Sequence, residues 1–447
     1  MRHVRTAIAA TLATGLLALT PTQQAVAHGD GHHGGAGADD PGVISTWNQI
    51  CVETIGIDAA AGRKQPIEVY LYLAFMHGAM YNAVVGIEGR YKPYRFHKRA
   101  PEHASPEAAA AAAAHRILVT YSPEQKDALD AKYAASLASI EDGKAETRGV
   151  EYGERAAAKM IAQRADDGRY APILFEKPAA PGIWRPTPTP ETGAPFSAPW
   201  LGYVKPLLIR SGDQFDPGPA PALTSDQYTQ DFNEVKSMGK SDSTTRTAEQ
   251  TETARFFAGN PGLQFSLGLV DQADKRDLDI VDAARLFAAV HMTLADASIA
   301  IWWTKHHYGV WRPITAIREA DTDGNPDTTF DPAVDPTWNS LIPSPPYPDY
   351  VSGYNGVMGA YSRALQETLD TRHLDLTLTS TVFPEPDPRH TRTYDTGRQV
   401  RQEVIDARVW LGIHFRFADT AAATMGQQIA RYALDHNFQP VRNHHHH

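Results

Sequence analysis

Residues 279–313 read DIVDAARLFAAVHMTLADASIAIWWTKHHYGVWRP. Phe287, Val290, Leu294, Ala297 and Ile301 step by three and four, which lays one apolar stripe along a helix from about Asp279 to His306. Seven residues at about 100° each nearly complete two turns, so Lys305 and Arg312 project to one side as far as that helix persists. Pro313 disfavours helix at Arg312, which therefore stands at a helix end with its guanidinium free to turn towards a ligand.

Working outward, Val357 to Leu369 and Gln402 to Leu411 read as further helices, and Leu374 to Val382 is the one fair strand candidate. Val43 to Arg164 is helical in pattern, with an apolar helix from Glu68 to Val84 ending near Gly86. Ser105-Pro106-Glu107 and Ser122-Pro123-Glu124 each combine an N-cap, a first-position proline and an acidic first turn, and so announce two more helices. Twelve prolines between 172 and 221 forbid long helices and central strands. Trp184, Phe196, Trp200, Tyr203 and Phe215 make the same stretch too aromatic for a solvated linker, so it reads as an ordered belt. The expected fold is mainly α: two helical bundles, at 43–171 and 226–440, joined by a proline-rich belt at 172–225.

At the N-terminus, Arg2, His3 and Arg5 precede an apolar run from Ala7 to Leu19, and Ala25-Val26-Ala27 is a small-residue cleavage pattern. Residues 1–27 therefore read as a secretory signal peptide, and export is expected. The run is shorter than the roughly 20 residues a membrane span needs, and no later segment is long and uncharged enough for one. His28, His32 and His33 in the flexible segment 28–42, and His444 to His447 in the tail at 441–447, read as terminal tracts with little fixed geometry. The 447-residue chain is 42% hydrophobic and 21% charged, which excludes disorder, collagen-like sequence and a disulfide-stapled mini-protein. Its net charge of -10 argues against nucleic acid as a partner, and its single cysteine, Cys51, reads as an apolar core filler.

Three segments carry the chemistry. The first runs from Lys305 to Pro313. The second, Pro345-Pro346-Tyr347-Pro348-Asp349-Tyr350-Val351-Ser352-Gly353-Tyr354, is a proline-rigid loop that delivers Ser352 and Gly353 to the start of a helix. Backbone N–H groups at a helix start, with a hydroxyl beside them, cradle an oxyanion, and glycine lets the anion approach closely. The third runs from Ala407 to Phe417. In an unbroken helix Arg408 and His414 would point about 120° apart; Gly412 supplies the bend that brings both to one site, and Asp419 is placed to orient His414. Lys305, Arg312 and Arg408 around one imidazole suit a phosphate or vanadate ion.

The order and context of these segments resemble the vanadium-dependent haloperoxidases, in the superfamily shared with type 2 phosphatidic acid phosphatases and bacterial acid phosphatases. Of the superfamily motifs K-x6-R-P, P-S-G-H and S-R-x5-H, the first is intact here, and the third lacks only its serine, replaced by Ala407. The resemblance implies vanadate, or phosphate in the same site, held by Lys305, Arg312, Ser352, Gly353 and Arg408. It makes His414 the axial ligand to vanadium, or the phosphorylated nucleophile in a phosphatase. It gives Trp302, Pro345, Pro346 and Tyr347 the halide and peroxide side. Hydrogen peroxide, a halide and a small organic acceptor would be the partners.

The second motif departs: Tyr354 stands where the family has its acid–base histidine, and Val351 where it has proline. Tyrosine, with an ordinary pKa of about 10, donates hydrogen bonds near neutral pH but is a poor proton shuttle. Tyr354 thus reads either as a catalytic donor or as a phenol that fills space. Three functions follow: a secreted haloperoxidase, a phosphatase acting through phospho-His414, or an oxyanion-binding protein that has lost turnover. His306 and His307 point about 100° apart and read as helix-surface residues. Asp321 to Asp327 has the oxygen ligands of half a calcium loop but no distal glutamate, and reads as a turn.

Overall fold

The computed structural model describes residues 42–187, 194–328 and 334–441. The leader at 1–27, the histidines His28, His32 and His33, and the tail His444 to His447 lie outside the described residues. Five helices come first: α1 (Gly42–Ala60), α2 (Val69–Glu88), α3 (Pro106–Tyr121), α4 (Lys126–Ala138) and α5 (Lys144–Gln163). After the belt follow α6 (Asp226–Met238), α7 (Ala248–Phe256), α8 (Pro261–Asp274), α9 (Ile280–Tyr308) and α10 (Pro313–Arg318). The last are α11 (Gly353–Thr368), α12 (Gly397–Trp410) and α13 (Arg416–His436), with one antiparallel pair, β1 (Leu376–Thr379) and β2 (Thr391–Tyr394), between α11 and α12.

The start signals act as expected at Ser105, whose hydroxyl accepts from Ala108 N–H. Such a cap stabilises a helix by about 1 kcal/mol. At Ser122 the hydroxyl instead donates to buried Asp58, and Pro123–Gln125 forms only a short 3-10 turn before α4. The α2 helix continues past Gly86 to Glu88 and is closed by Gly89. The Tyr152 side chain packs against the bare backbone of Gly86, where a Cβ would collide with it.

The long helix α9 is the organising element. It is apolar all round and buried for most of its length, with α2 on one side and α11 on the other, so a single apolar core runs through both halves. Among the described residues it alone is long and apolar enough to cross a membrane, yet it lies inside the protein. Cys51 is buried in the same core. The α11–α13 pair is packed through glycine. A Cβ on Gly359 would fall 2.3 Å from the Ala423 carbonyl oxygen, and one on Gly426 would fall 2.0 Å from that of Gly356. This close approach sets the first turn of α11 beside the first turn of α13, where two of the three motif segments end.

The belt is ordered where described. Trp184, Phe196 and Trp200 are buried, Trp184 N–H donates to Gly309 O, and Trp311 N–H donates to Gly182 O.

Candidate functional site

The α9 helix does not persist to Arg312. It ends at Tyr308, Gly309 caps it in the left-handed conformation, and Arg312 is the extended N-cap of α10. Lys305 and Arg312 nevertheless meet, because both turn onto the proline-rich loop. A proline run lacks N–H donors and presents carbonyls. Lys305 Nζ donates to the carbonyls of Pro348 (2.7 Å) and Asp349 (2.9 Å), and Arg312 Nε donates to that of Tyr347 (2.8 Å). The Tyr347 ring lies against both cations, its centre 5.0 Å from Lys305 Nζ and 4.9 Å from Arg312 Cζ.

Arg408 occupies the last turn of α12, where a cation complements the helix dipole. Its Nη1 donates to Phe257 O at 2.9 Å. The α12 helix ends at Trp410, and Gly412, at φ +78°, makes the bend that the sequence required. His414 follows, buried, with Arg312 Nη1 3.3 Å from Nε2. Ser352 is the N-cap of α11 and is fully buried, and a Cβ on Gly353 would meet only the Trp302 ring, at 3.8 Å. The cation set, the hydroxyl, the open glycine and the imidazole are therefore brought together.

Electrostatics define what this cluster wants. Burial, and next the Arg312 charge, hold Lys305 well below the usual lysine range. Burial, then the charges of Arg312, Lys305 and Arg408, hold His414 well below the usual imidazole range, so it is neutral with a lone pair to offer. Arg312 Nη2 and Arg408 Nε are buried without a hydrogen-bond partner. Buried N–H groups are almost always paired, and an unpaired one costs about 1–3 kcal/mol. Two orphaned guanidinium donors, beside an open glycine and among mutually repelling cations, fit a bound oxyanion.

Two expectations change. Asp419 does not orient His414: it lies in the first turn of α13 facing α11, and its Oδ1 accepts from Asn355 Nδ2 at 2.7 Å. The carboxylate at His414 is that of Asp349, whose Oδ1 is 2.5 Å from Nδ1. Burial pushes Asp349 up to about 7, against the pull of Arg312 and Lys305. Tyr354 is not free to act as a donor at the anion, since its hydroxyl donates to Gln264 Oε1 of α8. Its ring packs edge-on against Phe257 and Phe265 and carries Arg408 5.1 Å above its centre. The space-filling reading of Tyr354 is the one this geometry favours.

Trp302 and Tyr347 face one another, ring centres 5.0 Å apart, with half-buried Pro345 and Pro346 beside them. The belt closes this side: Ser197 N–H donates to Pro346 O at 2.9 Å, and Trp302 Nε1 donates to Ser197 O at 3.1 Å. His306 stands apart from the cluster, bonded to Tyr203 and to Leu174 O, and His307 is exposed and stacked on Trp303. In the acidic turn, Asp323 accepts from Asn325 N and Thr328 Oγ1, and no group of acids, histidines or cysteine among the described residues is spaced to hold a metal ion.

Sequence reading passed over Asp349, Gln264 and Phe257. The signal for Asp349 was present, an acid held rigidly between Pro348 and the cradle residues. Gln264 and Phe257 carried none, because they reach the site only through tertiary packing.

Residues 285–443 match the family described as the VCPO second helical-bundle domain. A vanadium chloroperoxidase from Curvularia inaequalis is 30% identical over 36% of this chain; the match spans 32% of that protein's length. The structure is similar to that of a bacterial vanadium-dependent iodoperoxidase, with a TM-score of 0.73 at 20% identity, covering 90% of this chain and 98% of the other. It is also similar to a bacterial vanadium-dependent chloroperoxidase in its holo form, with a TM-score of 0.66 at 18% identity, covering 83% and 92%.

Proposed function

We propose, for a chain that carries the VCPO second helical bundle at residues 285–443 and shares its whole fold with bacterial vanadium-dependent haloperoxidases, the function of an exported peroxidase that oxidises a halide with hydrogen peroxide. Vanadate is the cofactor of this reading. Lys305, Arg312, Ser352, Gly353 and Arg408 would hold its oxygens, and His414 would ligate it. Bound vanadate supplies a Lewis acid that activates peroxide without a change in its own oxidation state.

The chain's own part is binding and orientation. The orphaned N–H groups of Arg312 and Arg408 are donors awaiting oxygens. In its ionised form Asp349 would accept from Nδ1–H of His414 and so turn the Nε2 lone pair towards Arg312 and the ligand. Trp302, Pro345, Pro346 and Tyr347 line the side assigned to halide, peroxide and a small organic acceptor. The observation that carries this reading is the set of three buried cations, with unpaired donors on Arg312 and Arg408, around a neutral imidazole.

The Asp349–His414 pair also suits a phosphatase, since a carboxylate behind an imidazole supports a nucleophile. That reading lacks a free acid for the leaving group, because Tyr354 is bonded to Gln264. Bromination of a phenol dye by peroxide separates the two. Vanadate-dependent signal is expected; its absence from acidic to neutral pH, together with vanadate-inhibited release of phosphate from an aryl phosphate, would establish the phosphatase instead. The double variant Lys305→Ala, Arg408→Ala must lose anion binding, and unchanged binding would remove the site assignment.

A further inference from the structure

Ser352 is the N-cap of α11, yet its hydroxyl does not cap the helix. An N-cap serine ordinarily accepts from the second or third backbone N–H of its own helix, as Ser105 does in α3. At Ser352 a side chain takes that place. Asn355 Nδ2, one turn further along α11, donates to Asp419 Oδ1 at 2.7 Å and, at 3.5 Å, to Ser352 Oγ. Ser352 N–H in turn donates to Ala418 O, so the starts of α11 and α13 are joined through backbone and side chain alike. Ser352, Asn355 and Asp419 are all fully buried. Chemistry then fixes the roles. An amide nitrogen donates and does not accept, so Ser352 Oγ meets Asn355 as an acceptor and its own hydrogen is left over. The Asp419 carboxyl stands beside the same hydroxyl, and its Oδ2 is buried without a partner, so it competes for that hydrogen.

We propose that Asn355 is a positioning residue of the anion cradle: by donating to Ser352 Oγ while gripping Asp419 Oδ1, it turns the Ser352 hydroxyl hydrogen away from the Asp419 carboxyl and towards the bound oxyanion. The proposal rests on the oxyanion-site reading above, in which Ser352 touches the anion, and adds the residue that decides what Ser352 offers. Without Asn355 the hydroxyl has an acceptor at hand in Asp419, and the anion loses a donor. The helix contributes in the same direction. Because the Ser352 side chain does not cap α11, it leaves the first-turn N–H groups of that helix to the cradle.

The test is a double-mutant cycle read by titration calorimetry of the full chain with inorganic phosphate, and separately with vanadate: the parent, Ser352→Ala, Asn355→Ala and the two changes together. Loss of a hydrogen bond to a charged acceptor weakens binding by about 10-fold or more, and Ser352→Ala is expected to show it. Asn355→Ala should weaken binding by a similar factor. In the Ser352→Ala background it should cost nothing further, because it acts through that hydroxyl. Asn355→Leu, close to asparagine in volume but unable to donate, should weaken binding as Asn355→Ala does. Full affinity in Asn355→Leu would overturn the proposal, since the residue would then merely fill space, and so would full affinity in Asn355→Ala. Losses that add in the double variant would overturn it as well, and unaltered affinity in Ser352→Ala would leave no donor to aim. A parent that binds neither anion would overturn the oxyanion-site reading itself.

Discussion

The Asp349 carboxylate stands 2.5 Å from Nδ1 of His414, and the two residues are 65 positions apart. Asp349 also offers its carbonyl to Lys305, so one loop residue touches both the imidazole and a cation of the site. Asp349→Asn keeps the volume but lets an amide N–H face Nδ1, favouring the wrong tautomer. Anion affinity is expected to fall roughly 10- to 100-fold, as for other residues that orient a ligating histidine. Nitrogen-15 NMR of the imidazole checks the cause: the parent should show the hydrogen on Nδ1 and the variant a shift towards Nε2. An unaltered tautomer would sink the positioning role.

Tyr354→His restores the proton-carrying group at the second motif. If that group limits turnover, halide oxidation should rise by about 10²-fold or more. Phosphate affinity should change little, because the Tyr354 hydroxyl is bonded to Gln264. A rise in affinity with no gain in rate would mean that position 354 governs binding instead.

Gly426→Ala tests how the cradle is held. The added methyl would press on the Gly356 carbonyl and force α13 away from α11. Overpacking of this kind costs about 1–3 kcal/mol, and it displaces the Ser352–Gly353 turn from His414. Denaturant unfolding should show the loss, with anion affinity falling in parallel. A stability loss at full affinity would show that the cradle does not depend on this contact.

Acid sensitivity should come from the core and not only from the site. His291 is buried against His77, both Nε2 atoms meet Asn48 Oδ1, and burial holds His291 at about 3. The unfolded chain binds a proton here below about 6.5 and the folded chain does not, so stability is complete above that pH and is lost as pH falls towards 3. The slope is at most about 1.4 kcal/mol per pH unit. Asp296, raised to about 6 by burial, works in the opposite direction and weakens the fold as pH rises from about 4 to 6. Unfolding of His291→Gln at pH 7.5 and 5.0 should therefore show a shallower acid loss than the parent, and parallel curves would exclude the histidine as the cause.

The cations and the imidazole were legible in the sequence because motif spacing is a local property. Lys305, Arg312, Arg408 and His414 sit on helix ends or bends, and Gly309, Pro313 and Gly412 mark those ends in the residues themselves. The mainly α class was legible for the same reason, from the stepping of Phe287 to Ile301 along α9. What escaped depends on pairing between distant elements. Asp419 is nearer His414 in sequence than Asp349 is, yet the helix phase of α13 turns it towards Asn355. The destination of the Tyr354 hydroxyl, 90 residues away at Gln264, is a fact of packing that no spacing announces.

Ser197 is tied three ways: its N–H to Pro346, its carbonyl to Trp302, and its hydroxyl to Gln65 near the start of α2. Swinging this stretch of belt aside would break all three bonds, each worth about 1 kcal/mol. The aromatic wall is accordingly tied to the belt at this residue. The outline of this side of the cluster is then set by the belt, and can be redrawn there without touching Lys305, Arg312 or Arg408.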